Sequence, residues 1–179
     1  MPPAAHVVVT GPIGSGKSTV ARAAMELLGW TRPVGFRTHW GGAERGAPVL
    51  YLEPWGGASI AIARRVADTA EEGEAPYELD ADVFHSAALP CLEAGAADRP
   101  VVVDELGPIE LRAASFVAGV RAAFRAEIPW LAVIQERALE RWLAHLRETG
   151  TPFTVMVVDA ANRNDLPRRI AALLQPARA

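Results

Sequence analysis

Few short stretches restrict a fold as tightly as Gly11-Pro12-Ile13-Gly14-Ser15-Gly16-Lys17-Ser18. The pattern G-x-x-x-x-G-K-[ST] is a phosphate-cradling loop, and it works only between a strand and a helix. The flanks agree. His6-Val7-Val8-Val9-Thr10 is a β-branched run of buried-strand type, and Val20, Ala24, Leu27 and Leu28 recur at helical spacing after Ser18. In that setting glycines let backbone N–H groups approach an oxyanion, and the helix adds its positive end to the same anion. Lys17 is the only lysine in the chain, against 17 arginines. A tight loop around a β/γ-phosphate accepts a compact ammonium where a planar guanidinium does not fit. Gly11, Pro12, Ile13, Gly14, Ser15, Gly16, Lys17, Ser18 and the following Thr19 are therefore read as the cradle of a nucleoside triphosphate.

The remainder of the composition bounds the class. A length of 179 residues with 50% hydrophobic side chains supports one core, so residues 1–179 are read as a single domain. The net charge of −3 provides no basic stripe for a nucleic-acid groove. A lone cysteine, Cys91, can form no internal disulfide, which points to a reducing cytoplasm. Met1 to His6 carries no basic leader, and no apolar run approaches the ~20 residues of a membrane span. A monomer is the default assembly.

Taken in order, the chain alternates strands and helices. Val34–Trp40, Ala47–Glu53 and Ala58–Ile62 read as three glycine-separated strands, an antiparallel meander inserted near residues 34–62. Ala63 to Pro76 is acidic and small, either a solvated loop or a lid over the nucleotide. Asp80 to Ala94 reads as a helix that Pro90 breaks or restarts. Val101–Val103, Trp130–Ile134 and Phe153–Val158 are apolar strands. Between and after them, helices are marked by Val117, Val120 and Phe124, by Leu139, Trp142, Leu143 and Leu146, and by Leu166, Ile170, Leu173 and Leu174. Continuous apolar strands alternating with amphipathic helices predict an α/β fold whose parallel sheet is covered on both faces.

Asp104-Glu105 closes the Val101–Val103 strand, at the edge where open parallel sheets bind ligands. A triphosphate brings Mg²⁺, an oxygen-seeking cation, so Ser18 and Asp104 are its expected protein ligands. Glu105, one residue on, is placed to take a proton from an attacking water. Gln135 follows the Trp130–Ile134 strand; it reads either as a contact to that water or to the γ-phosphate, or as an ordinary strand-end glutamine. Arg37, Arg45, Arg112, Arg137 and Arg163 are the arginines available to neutralise developing charge, although Arg137, Arg141 and Arg147 also fit the solvated face of a helix. Asn162-Arg163-Asn164-Asp165 has two readings. Its spacing matches the Asn-Lys-x-Asp base-reading element of GTP-binding proteins, with arginine in second place; a capping turn before Pro167 explains it too.

Gly11–Ser18, Gly35-Phe36-Arg37-Thr38, Val102-Val103-Asp104-Glu105-Leu106-Gly107-Pro108-Ile109-Glu110-Leu111 and Asn162–Asp165 occur in that order. Together they resemble the small P-loop nucleoside-triphosphatases first described from thermophiles, the nucleoside-triphosphatase/nucleotide-kinase-related family. The resemblance runs from about His6 to the last helix, and Asp104–Leu111 is its most specific part. It implies a P-loop three-layer sandwich and Mg²⁺-dependent hydrolysis of ATP, GTP and other ribonucleoside triphosphates with weak base discrimination. It also implies that Lys17 and Glu105 are catalytic, that Asp104 holds the metal, and that Glu110 orients an arginine or the loop. The chain departs from the family after Thr38, where His39-Trp40-Gly41-Gly42 stands in place of an acidic residue and an arginine; Arg45 is the nearest substitute. Two other functions stay open on sequence grounds. One is a kinase whose acceptor pocket is walled by the 63–76 loop and the Asp80–Ala94 helix. The other is a nucleotide-dependent switch with Trp40 and Trp55 exposed as a partner surface.

Overall fold

The computed structural model describes residues 5–41, 49–65, 77–93 and 99–175. Its strands are β1 (His6–Thr10), β2 (Val34–Trp40), β3 (Val49–Pro54), β4 (Ile60–Arg65), β5 (Tyr77–Leu79), β6 (Val101–Leu106), β7 (Trp130–Ile134) and β8 (Thr154–Val157). The helices are α1 (Lys17–Leu28), α2 (Ala81–Glu93), α3 (Ala114–Phe124), α4 (Leu139–Arg147) and α5 (Leu166–Leu174). Among the described residues these strands form one sheet in the order β5-β4-β3-β2-β6-β7-β1-β8. The five strands from β2 to β8 in that order run parallel; β3, β4 and β5 extend the sheet antiparallel.

Alternation along the parallel strands builds two cores. Val7, Val9, Val102, Leu131 and Val133 face α1 and α5, meeting Val20, Ala24 and Ile170. Val8, Val101, Val103, Ala132 and Ile134 face α2, α3 and α4, where Phe84, Phe116, Phe124 and Trp142 are buried. Strands buried on both faces need apolar residues at every position, which is why β1 and β7 read as unbroken runs. The rings interlock edge to face, Phe84 on Phe116 at 4.8 Å and Phe124 on Trp130 at 5.4 Å between centroids. Truncating one such ring to alanine costs about 3–5 kcal/mol.

The inserted region differs from its sequence reading in several ways. Strands β2, β3 and β4 form the expected antiparallel meander, but β2 also pairs parallel with β6, placing Arg37 beside Asp104. The third strand starts later and runs to Arg65, so Ala63, Arg64 and Arg65 belong to the sheet and not to the acidic loop. Tyr77–Leu79 adds a further strand that its short, mixed composition does not announce. Residues 66–76, the rest of the loop read as a lid, lie outside the described residues, as does Arg45. Pro90 neither breaks nor restarts α2, which continues through it. Among the described residues no helix is long and apolar enough to cross a membrane.

Candidate active site

β1 and α1 lie next to the acidic strand because β7 alone separates β1 from β6. Their carboxyl ends bring three loops to one edge. Gly16 takes a left-handed φ of 95° at the start of α1, a conformation that a side chain would strain. Within the turn the Ser15 N–H donates to the Pro12 carbonyl at 3.1 Å, and Ile13 is 74% exposed.

Lys17 is 8% exposed, and its Nζ donates to the carbonyls of Gly11 and Pro12 at 3.0 and 3.1 Å. The same ammonium stands 3.7 Å from Glu105 Oε1. Ser18 Oγ donates to Asp104 Oδ1 at 2.9 Å, so the hydroxyl and carboxylate expected to share a cation are already neighbours. Burial pushes the Asp104 carboxyl above its ordinary range, while the Ser18 hydroxyl and the charges of Arg22, Arg37 and Lys17 pull it down. Lys17, Ser18, Asp104 and Glu105 thus come together as the sequence pattern anticipates.

Glu105 owes its position to an irregularity in the ladder. Asp104 pairs with Val133 and Leu106 with Ile134, leaving Glu105 as the extra residue of a bulge. Such a bulge re-aims a side chain at a strand end. Thr38 fastens the spot from β2, its hydroxyl 3.3 Å from the Glu105 carbonyl and 3.4 Å from the Glu105 N–H. Thr38 carries no role in the sequence reading; its only signal there is membership of the Gly35–Thr38 segment.

Gln135 caps β7 on the far side. Its Nε2 donates to Glu105 Oε2 at 3.1 Å and its Oε1 accepts from Arg137 Nε at 2.9 Å. Arg137 lies on the short 3-10 turn Glu136–Ala138 and not on the solvated face of α4. It lines a cleft of about 230 Å³ with Gly11, Lys17, Trp40, Glu105 and Gln135. Arg37 is instead held by Glu53 through two 2.9 Å contacts, which lower the Glu53 carboxyl below its usual range. Arg112 sits on the 3-10 turn Glu110–Arg112, outside the cleft's lining.

Glu110 bonds a backbone amide and lies within the electrostatic reach of Arg137. Its buried Oε2 accepts the Gly107 N–H at 2.7 Å, and burial raises its carboxyl to about 7. The tryptophans read as an exposed surface are half-buried: Trp40 packs against the larger core, and the Trp55 indole N–H donates to the Val102 carbonyl at 2.8 Å.

The Asn162–Asp165 element forms a turn. Asn162 donates to the Val157 carbonyl at 2.9 Å and accepts the Asp159 N–H at 3.0 Å, so its side chain is engaged by backbone. Arg163 and Asn164 line an open hollow of about 450 Å³ with Gly16, Thr19, Ala23 and Pro167, beside the start of α1.

A family model described as NTPase matches residues 6–171. The chain belongs to this family. It is 34% identical over 190 residues to the cancer-related nucleoside-triphosphatase homolog of Bos taurus, covering 98% of this chain and 99% of that protein. Nucleoside-triphosphatase THEP1 of Methanopyrus kandleri is 33% identical over 172 residues, 92% of each. The crystal structure of THEP1 from the hyperthermophile Aquifex aeolicus superposes with a TM-score of 0.74 at 22% identity, covering 96% of this chain and 99% of that one. The last likeness bears on the fold, a mostly parallel α/β sheet covered by helices.

Proposed function

We propose that this NTPase-family chain hydrolyses nucleoside triphosphates to diphosphate and phosphate, with Glu105 as the base. The observation that carries this is the setting of Glu105. Its carboxylate lies 3.7 Å from Lys17 Nζ and 3.1 Å from Gln135 Nε2, one residue beyond an Asp104 already bonded to Ser18.

The loop N–H groups of residues 11–18 and the start of α1 bind the phosphates. Lys17 exchanges its two carbonyl partners for β/γ-phosphate oxygens. Glu105 accepts a proton from water as the water oxygen bonds to the γ-phosphorus. The bond from that phosphorus to the bridging oxygen breaks, and its electron pair leaves with the diphosphate. Ser18 and Asp104 form a hard-oxygen pair that fits Mg²⁺, which keeps several waters and binds mainly through one or two protein oxygens and the substrate phosphates. Magnesium held there would neutralise phosphate charge. In this reading Arg163 and Thr19, which line one hollow beside α1, serve the nucleoside end, and Asn162 serves it through the turn it holds. The relatives' names favour hydrolysis over transfer to an acceptor or a switching role.

The test is phosphate release with Mg²⁺ and NTP alone. Glu105→Gln should lower kcat by roughly 10²–10⁴ while leaving binding of a non-hydrolysable triphosphate intact. Undiminished turnover in that variant, or turnover that needs an added acceptor, overturns the proposal.

A further inference from the structure

Gly107 lies two residues beyond Glu105, and both its N–H and its carbonyl are held. Its N–H is taken by the buried Glu110 carboxylate at 2.7 Å, and its carbonyl by the indole N–H of fully buried Trp142 at 3.0 Å. A Cβ at this position would stand 2.8 Å from Gln135 Nε2, 2.9 Å from Cδ and 3.0 Å from Oε1. The missing side chain is thus the space in which the Gln135 amide rests. That amide has a fixed polarity, because a carboxylate needs a donor and a guanidinium needs an acceptor. Only one orientation satisfies Glu105 and Arg137 together.

Resting on Glu105 as the base, we propose that the Glu110–Gly107–Trp142 clamp is a positioning device for hydrolysis. It fixes a side-chain-free seat for Gln135, and the seated amide holds Glu105 and Arg137 in one arrangement across the cleft. Gly107, Glu110 and Trp142 touch neither water nor phosphate in this scheme; they act through Gln135. Loss of the seat frees the base from its fixed position, and a misplacement of about 1 Å costs roughly 10²-fold in rate.

Gly107→Ala is the sharp variant. Gly107 is not in a left-handed conformation, so alanine suits its backbone, and the atoms it would crowd are the end of a flexible side chain. Steady-state NTP hydrolysis is measured on the full chain for Gly107→Ala, Gln135→Ala, the double variant and Glu105→Gln. Each of the first two should lose roughly ten- to a hundredfold in kcat, with KM for the Mg²⁺–triphosphate within about twofold and an unchanged melting temperature. The double variant should be no worse than Gln135→Ala, because Gly107 acts only through that amide. Wild-type turnover in Gly107→Ala, or losses that multiply in the double variant, overturns the proposal. Should Gly107→Ala fail to fold, Trp142→Phe keeps an aromatic side chain and removes the N–H donor; a drop in its kcat at constant KM supports the clamp, and an unchanged kcat overturns it. Glu105→Gln separates the two claims. An active Glu105→Gln sinks the base assignment, whereas an inactive Glu105→Gln beside a fully active Gly107→Ala sinks the clamp alone.

Discussion

The two ends of the nucleotide site are built differently. At the phosphate end Lys17 and Asp104 are buried, and the side chains of Lys17, Ser18, Asp104 and Glu105 each have a partner in the protein. At the base end Arg163 and Asn164 are exposed on a turn whose Asn162 is engaged by its own backbone. A buried charge in a preorganised setting is worth far more than an exposed one, because water neither competes with it nor screens it. In the proposed reading, this contrast puts the recognition energy on the triphosphate, which all nucleotides share, and little on the base that distinguishes them.

Lys17→Ala tests the contrast hardest. It should lower kcat/KM by roughly 10³, and Lys17→Arg should not restore it, because a guanidinium cannot take the place of a compact ammonium in the loop. Asp104→Ala comes next: we expect roughly a 10²-fold loss, accompanied by a higher Mg²⁺ concentration for half-maximal rate. An unchanged magnesium titration would move the metal away from the Ser18–Asp104 pair.

A thermodynamic prediction concerns the buried acid behind the site. The Glu110 carboxyl is raised from 4.5 to about 7 by burial, with Glu105 adding to the rise and Arg137 and its backbone donors opposing it. Between those values the folded chain binds more protons than the unfolded one, so this group's share of stability is full below pH 4.5 and is lost as pH rises through about 7. The loss amounts to about 3 kcal/mol. Chemical denaturation of Glu110→Gln, whose amide oxygen can still accept the Gly107 N–H, should lack this decline; parallel pH profiles for the two proteins would refute the assignment. The smallest effect belongs to the base end. Arg163→Ala and Asn164→Ala should each change KM by less than about fivefold, and to a similar extent for ATP and GTP. A loss rivalling that of Lys17→Ala, or one confined to a single base, would break the comparison of the two ends.

Legibility in the sequence follows the same division. The loop, its strand and helix, and the Asp104-Glu105 pair are local patterns, where spacing alone dictates which groups share an edge. Thr38, Gln135 and Gly107 become partners of Glu105, directly or through one side chain, only because β2 and β7 flank β6. No spacing along the chain carries that adjacency. Trp40 and Trp55 failed as surface residues for a related reason: their burial depends on what packs over them, not on their neighbours in sequence.

By itself, then, the sequence determined an alternating α/β chain, the phosphate loop with its lone lysine, and the acids at the end of a strand. Periodicity and glycine placement are local and need no partner to act. The tertiary structure alone decided that β2 joins the parallel sheet, that Glu105 sits in a bulge, that Arg37 is held by Glu53 while Arg137 reaches the cleft, and that Glu110 holds the Gly107 N–H. Those outcomes depend on which elements become neighbours, which is set by the burial of both sheet faces at once.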